Sequence, residues 1–196
     1  MCIDLNKYDY NLPHDQIALH SKKNRASARM YVSDGFSLFD SKVMEISKFL
    51  AKGDLIVLND TRVIPARLTG HRVSRLINDE GPKISATLLN EISEGKWVAL
   101  VKPRKKLSDG DLIKFFKRHI SGEIFATVEV TKEKSVILDF SKPKEDLIRD
   151  LYRIGNMPIP PYIEKIRGMK NSDFLNYQST FAKEDGAVAA PTASLH

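Results

Sequence analysis

Cysteine is nearly absent from this chain. The single residue, Cys2, has no partner for a disulfide and cannot build a multi-cysteine metal site. No apolar run approaches the roughly 18 residues that cross a bilayer, so no membrane partner is expected. The opening residues 1–7 carry charge at Asp4 and Lys7 and lack an apolar core, which argues against a secretory signal and makes the cytoplasm the expected location. There is no internal repeat and no low-complexity tract. Also missing are a Walker-type phosphate loop, a GxGxxG dinucleotide fingerprint, Cys/His metal-ligand spacing and a nucleophile elbow. Residue patterns alone therefore name no reaction.

What is present suffices for a core. The chain has 196 residues and is 42% hydrophobic, enough for one domain or two small ones. Charges of both signs are abundant, which argues against disorder. The net charge of +6 is compatible with a nucleic-acid partner without demonstrating one.

Asp40 or Ser41 is placed to cap a helix whose apolar positions Phe39, Val43, Ile46 and Leu50 recur at helical spacing, with Gly53 just past its end. Leu55 to Leu58 is a short unbroken apolar run that suits a strand buried on both faces. From about Ala66 to Phe140, β-like segments alternate with turns. The candidates are 66–77, 83–91, 96–102, 111–116, 120–130 and 134–140. Punctuation falls at Asn78 to Pro82, Ser93 to Gly95 and Ser108 to Gly110. Short strands so closely spaced predict a small barrel or sandwich. Helical texture returns at Glu145 to Ile154, with Leu147, Leu151 and Ile154 on one stripe and Gly155 as the stop. Three prolines in Met157 to Ile163 predict an extended, rigid path. Ser172 is placed to cap a helix through Phe174, Tyr177 and Phe181. The barrel thus reads as an insertion into a helix-and-strand domain.

Six features can carry chemistry, and each has a plainer reading beside it. Asn59, Asp60, Thr61 and Arg62 follow the predicted strand, where open α/β sheets place ligands; alone they read equally as an Asx-type turn. Arg67 is either a second anion contact or a surface cation. Residues 102–118 hold seven cations against two acids, either a phosphate footprint or a solvated loop and exposed strand face. Tyr162, closing the proline segment, either stacks on a base or packs in a core. Gly186, Ala187, Ala189, Ala190 and Ala193 add little bulk, which permits close approach of a ligand or of another backbone. His196 at the end of that stretch is either catalytic or frayed.

Several segments together resemble the S-adenosylmethionine:tRNA ribosyltransferase-isomerase family of queuosine biosynthesis. They are Tyr8 to Pro13 with Ile17 and Ala18, Arg25 and Arg29, Gly53 to Arg67, Gly155 to Ile163, Tyr177 and Gln178 with Phe181 and Ala182, and Gly186 to His196. The second-longest and longest of these read GAVAAPTASLH and GDLIVLNDTRVIPAR. The chain departs from the family pattern at His20 and Ser21, at Ala26 and at Ser194, and it stops inside the final motif, so a truncated α/β domain is expected.

The resemblance implies an α/β domain, residues 1–68 and 141–196, interrupted by an inserted six-stranded β-barrel at 69–140, with the C-terminal part of the α/β domain missing. It implies transfer and isomerisation of the ribosyl group of S-adenosylmethionine, as co-substrate, onto 7-aminomethyl-7-deazaguanine at the wobble position of tRNA. The product is epoxyqueuosine; adenine and methionine leave. Neither a metal nor a prosthetic group is expected, and a monomer is. Such a reaction needs a base for the proton next to the sulfonium and an acid for departing adenine. Asp60 and His196 are the catalytic candidates, although Asp60 can instead orient Arg62 and Thr61. Asn59, Thr61, Arg62, Arg67, Tyr162, Tyr177, Gln178, Pro191 and Thr192 are the substrate-binding candidates. The alternative is a non-catalytic remnant that at most binds RNA through its barrel.

Overall fold

The computed structural model describes residues 4–73, 81–131 and 135–196. The readings at Cys2, at 74–77 of the first barrel strand, at Asn78 to Glu80 and at Lys134 lie outside them. The described residues form two compact units, divided between Ala51 and Lys52.

In the first unit, β1 (Arg29–Ser33) and β2 (Leu38–Lys42) form an antiparallel hairpin, followed by a 3-10 helix at Val43–Phe49. The helix predicted from Asp40 is therefore a correction: its first residues are strand and the rest is 3-10 helix. Ser41 donates to Glu45 Oε2 at 2.8 Å and the Lys42 N–H donates to the same oxygen at 3.3 Å. These bonds tie the strand end to the turn after it.

In the second unit, six strands close a barrel: β4 (Arg67–Arg72), β5 (Lys83–Ser93), β6 (Lys96–Lys102), β7 (Leu112–Phe116), β8 (Glu123–Val130) and β9 (Val136–Asp139). Around the barrel the order is β4-β5-β6-β9-β8-β7, and every pair is antiparallel. Alternation does the work. Inward positions Leu68, Ile84, Ala86, Leu88, Trp97, Ala99, Ile113, Phe115, Ile124, Val128, Val136 and Leu138 are buried. Their register places Phe115 opposite Ile124, Val128 opposite Leu138 and Leu88 opposite Ala99. Closure needs Gly70, because a Cβ there would lie 2.0 Å from the Lys114 carbonyl oxygen on β7. Leu147, Leu151 and Ile154 of helix α1 (Lys144–Ile154) join the same core.

Flanking the barrel in sequence, β3 (Thr61–Val63) and β10 (Glu184–Ala187) pair in parallel. Helices α1, α2 (Pro161–Arg167) and α3 (Asp173–Asn176) lie between the barrel strands and β10 along the chain. A parallel strand pair with helices in its connection is an α/β arrangement, and the six-stranded barrel interrupts it.

Four expectations are corrected in this unit. Leu55 to Leu58 form no strand; they are 53–88% exposed. A strand buried on both faces needs neighbours, and β10 is the only strand beside β3 among the described residues. Asn59 to Arg62 therefore lead into a strand instead of following one. The proline segment is extended only through Pro160, since Pro161 occupies the first turn of α2, where its missing N–H costs nothing. The helix after Ser172 ends at Asn176, short of Tyr177 and Phe181. Gly155 does stop α1, but not through a left-handed conformation. Its φ is −73°, and a Cβ would lie 2.1 Å from the Pro65 carbonyl oxygen.

Candidate functional site

The site is built around β3. Asn59 turns the chain by accepting the Thr61 N–H on its own Oδ1 at 2.9 Å, a turn in which side chain replaces backbone. The Asp60 carbonyl accepts the Lys183 N–H at 2.6 Å, which opens the parallel register with β10. The Ile64 N–H donates to the Ala187 carbonyl at 2.9 Å and closes it. Gln178 reads the other side of β3: its amide accepts the Val63 N–H and donates to the Val63 carbonyl, both at 2.7 Å. Ser179 donates to the Asn59 carbonyl at 2.8 Å. Thr180 is bound to Ser194 through its N–H at 3.0 Å, which draws in the last segment.

Below these bonds lies a small second core. Val63, Met157, Ile159 and Ala190 are buried together, with Ile163, Phe174, Tyr177 and Leu195 packed against them. Segments around 59–67, 155–163, 177–182 and 186–196 thus meet in one place, although up to about 130 residues separate them in sequence.

The individual candidates differ in what their side chains do. The Asp60 carboxylate is exposed and has no partner among the described residues. Arg62 reaches the Ala182 carbonyl at 3.4 Å. Arg67 pairs with Glu164 of α2, and its backbone exchanges hydrogen bonds with Asn156. Tyr162 is exposed on α2, whereas Tyr177 is half-buried against the second core. Gln178 has both ends of its amide engaged by Val63, so its direct effect is to hold β3. Pro191 and Thr192 lead into the 3-10 turn Thr192–Ser194, where Thr192 is exposed. His196 is exposed at the end of the described chain.

Two groups beside Arg62 had no sequence signal. Tyr152, on α1, donates its hydroxyl to Asp185 Oδ1 at 2.7 Å. Burial, that bond and the Asp185 charge push the phenol up to about 12, while Arg62 pulls the other way. The phenol therefore stays protonated at neutral pH and orients Asp185 next to Arg62. Nothing in the spacing of Tyr152 and Asp185 links them; the parallel register of β10 does.

The basic stretch 102–118 does not form one continuous element. Arg104 to Lys106 make a 3-10 turn, held by Arg104 on the Thr131 carbonyl at 2.7 Å and by Arg72 on the Lys106 carbonyl at 2.9 Å. Lys114, Lys117 and Arg118 instead line a cavity of about 690 Å³ on the barrel wall. Among the described residues there is no cluster of three or more His, Cys, Asp or Glu side chains able to hold a metal. Among the same residues no helix is long and apolar enough to cross a membrane.

The profile of a family described as "Queuosine biosynthesis protein" matches residues 5–196. The S-adenosylmethionine:tRNA ribosyltransferase-isomerase of Bradyrhizobium diazoefficiens is 42% identical over 193 residues, covering 96% of this chain and 52% of that protein. The enzyme of the same name from Ruegeria pomeroyi is 41% identical over 195 residues, covering 98% of this chain and 54% of its own. The chain thus spans about half the length of the curated relatives it matches. The solved S-adenosylmethionine tRNA ribosyltransferase of Thermotoga maritima aligns at 26% identity with 82% of this chain and 54% of its own. Its TM-score is 0.35, an overlay too loose to bear on the fold.

Proposed function

The chain belongs to the queuosine biosynthesis protein family, and from that membership we propose that it supplies part of an S-adenosylmethionine:tRNA ribosyltransferase-isomerase. The reaction moves the ribosyl group of S-adenosylmethionine onto the exocyclic amine of 7-aminomethyl-7-deazaguanine in the wobble position of tRNA. Rearrangement gives epoxyqueuosine, and adenine and methionine depart. The observation that carries this reading is the meeting of four sequence-distant segments around Val63.

Within that site, Asp60 is the candidate base for the proton beside the sulfonium, and His196 the candidate acid for adenine. The open Asp60 carboxylate supports its assignment. Asn59, Thr61, Arg62, Pro191 and Thr192 face or border the co-substrate, with Arg62 set for a carboxylate or phosphate. Tyr162 is exposed enough to stack on a base. Arg67, Tyr177 and Gln178 act on substrate through the elements they hold. The domain division is residues 1–68 with 141–196 around a barrel at 69–140. The working form is a cytoplasmic monomer with tRNA as partner and no prosthetic group.

A second reading has its own observation. Leu55 to Leu58 stand bare just before Asn59, which fits a non-catalytic remnant whose α/β part is left uncovered and which at most binds RNA through its barrel. The deciding assay mixes the chain, S-adenosylmethionine and tRNA carrying 7-aminomethyl-7-deazaguanine, and follows adenine release and nucleoside mass. A parallel reaction adds the C-terminal half of a curated relative in trans. Transfer in either reaction supports the first reading; its absence from both supports the second. Where transfer occurs, Asp60→Asn lowers turnover more than S-adenosylmethionine binding if Asp60 is the base. Equal losses make it a positioning residue.

A further inference from the structure

The cavity on the barrel wall lies outside the site around β3. It is formed where β4 meets β7 and by the turn after β7, and a second cavity of about 560 Å³ shares His71, Phe116 and Arg118 with it and adds Lys83. Its charges are not all spent internally. Lys114 pairs with Glu123, and Arg72 lies 3.8 Å from Asp111. Lys83, Lys117 and Arg118 have no acidic partner among the described residues. Phe116 is half-buried at the cavity, with the His71 ring against it at 5.7 Å and 67°.

The turn that carries the cations is fixed from two sides. Lys117 sits 5.8 Å over the Phe174 ring, and Phe174 packs on the core around Val63. Gly122, with φ of +109°, brings its backbone against the Arg153 guanidinium of α1; a Cβ there would lie 2.5 Å from it. A ready-made turn loses little freedom when it binds. Its contact with Phe174 sets the cavity next to the elements that build the β3 site.

We propose that this cleft binds single-stranded RNA, stacking one unpaired base on Phe116 and holding the flanking phosphates with Lys83, Lys117 and Arg118. Cations around an aromatic platform match single strands, whose bases are free to stack. A double helix keeps its base faces stacked inside and presents backbone, 2′-hydroxyls and base edges. The cleft rests on the reading that tRNA is the partner, and it supplies a loop-recognition surface for that partner.

The test measures anisotropy of a labelled single-stranded RNA heptamer against the full chain, across a salt series and without S-adenosylmethionine. Lys117→Ala with Arg118→Ala, both at accessible positions, should weaken binding at least tenfold. It should also lower the slope of log affinity on log salt by about 1.4, two single-strand phosphate contacts. Phe116→Leu should weaken binding by about 5- to 150-fold, the range of one stacked base, with the slope unchanged. Lys105→Ala with Lys106→Ala should change neither. The proposal is overturned if that last pair carries the salt dependence, if Phe116→Leu has no effect, or if the heptamer fully paired with its complement in a blunt-ended duplex binds as tightly. Full competition by millimolar pyrophosphate would also overturn it, by making this a small-anion site. RNA binding of the expected kind without ribosyl transfer would leave the cleft standing and remove the reaction. Transfer with RNA affinity untouched by these variants would do the reverse.

Discussion

Strand β8 and the run Leu55 to Leu58 are both apolar-rich, and they end in opposite environments. Ile124, Ala126 and Val128 of β8 are at most 1% exposed, while Leu55, Ile56, Val57 and Leu58 are 53–88% exposed. The difference lies in neighbours. β8 has β7 on one side and β9 on the other, both within 20 residues along the chain. The Leu55 to Leu58 run has no strand beside it among the described residues, and β3 just after it has one, contributed by residues more than 120 positions away. An apolar run contributes to stability only where something covers it. Closing a sheet on itself provides that cover locally; a parallel pair depends on whatever the rest of the fold brings.

The largest expected effect falls on barrel closure. Gly70→Ala places a methyl into the Lys114 carbonyl and should cost about 3 kcal/mol or more, since the contact is backbone on backbone. Thermal unfolding followed by Trp97 fluorescence measures it, as Trp97 is buried in the barrel. If the variant melts like the parent, the barrel is not closed at β4–β7 and the contrast with β3 dissolves.

Acid should separate the two regions next. Asp173 accepts Arg167 in two bonds, at 2.9 and 2.7 Å, and the Lys170 N–H at 2.8 Å. Burial alone would raise this carboxyl, but the guanidinium and the N–H outweigh it and hold it below its usual range. Its contribution is therefore complete above about pH 4 and is lost as pH falls through the lower folded value. Asp173→Asn should cost about 3 kcal/mol at neutral pH, because the partly buried Arg167 loses the carboxylate that takes two of its bonds. A pH series of amide exchange should show the 167–182 segment opening before β8. Simultaneous opening would mean that the two regions unfold as one.

Gln178→Ala removes both bonds to Val63 and should loosen β3 by about 1–3 kcal/mol. Gln178→Glu keeps the acceptor but sets a carboxylate oxygen against the Val63 carbonyl, so at neutral pH it should cost at least as much. Amide exchange at Val63 and Ile64 reports it, with β8 as the unaffected reference. The smallest effect belongs to the bare run. Leu55→Ser with Val57→Ser should shift stability by no more than about 0.5 kcal/mol, because neither side chain is covered. A larger loss would show that the run is packed in solution.

This contrast also marks how far the sequence could be read. The barrel strands were legible because β5 through β9 carry a two-residue alternation bounded by turn residues, and their partners lie close along the chain. Helix α1 was legible from the stripe Leu147, Leu151 and Ile154. Leu55 to Leu58 misled because an apolar run states what a segment wants and not whether a neighbour is present. Residues 38–49 misled because Phe39, Val43, Ile46 and Leu50 keep helical spacing across a strand and a 3-10 turn. In the candidate site, Asn59 to Arg62 stood out as a polar cluster. The Gln178 clamp and the Tyr152–Asp185 bond did not, because each joins residues that only the fold brings together.

The central claim is that the barrel is complete within these 196 residues while the apolar run before β3 is uncovered. Amide hydrogen exchange on the chain as it stands tests it most directly. The account predicts strong protection across Ile124 to Val130 and almost none across Leu55 to Leu58. Equal protection of the two segments would contradict it.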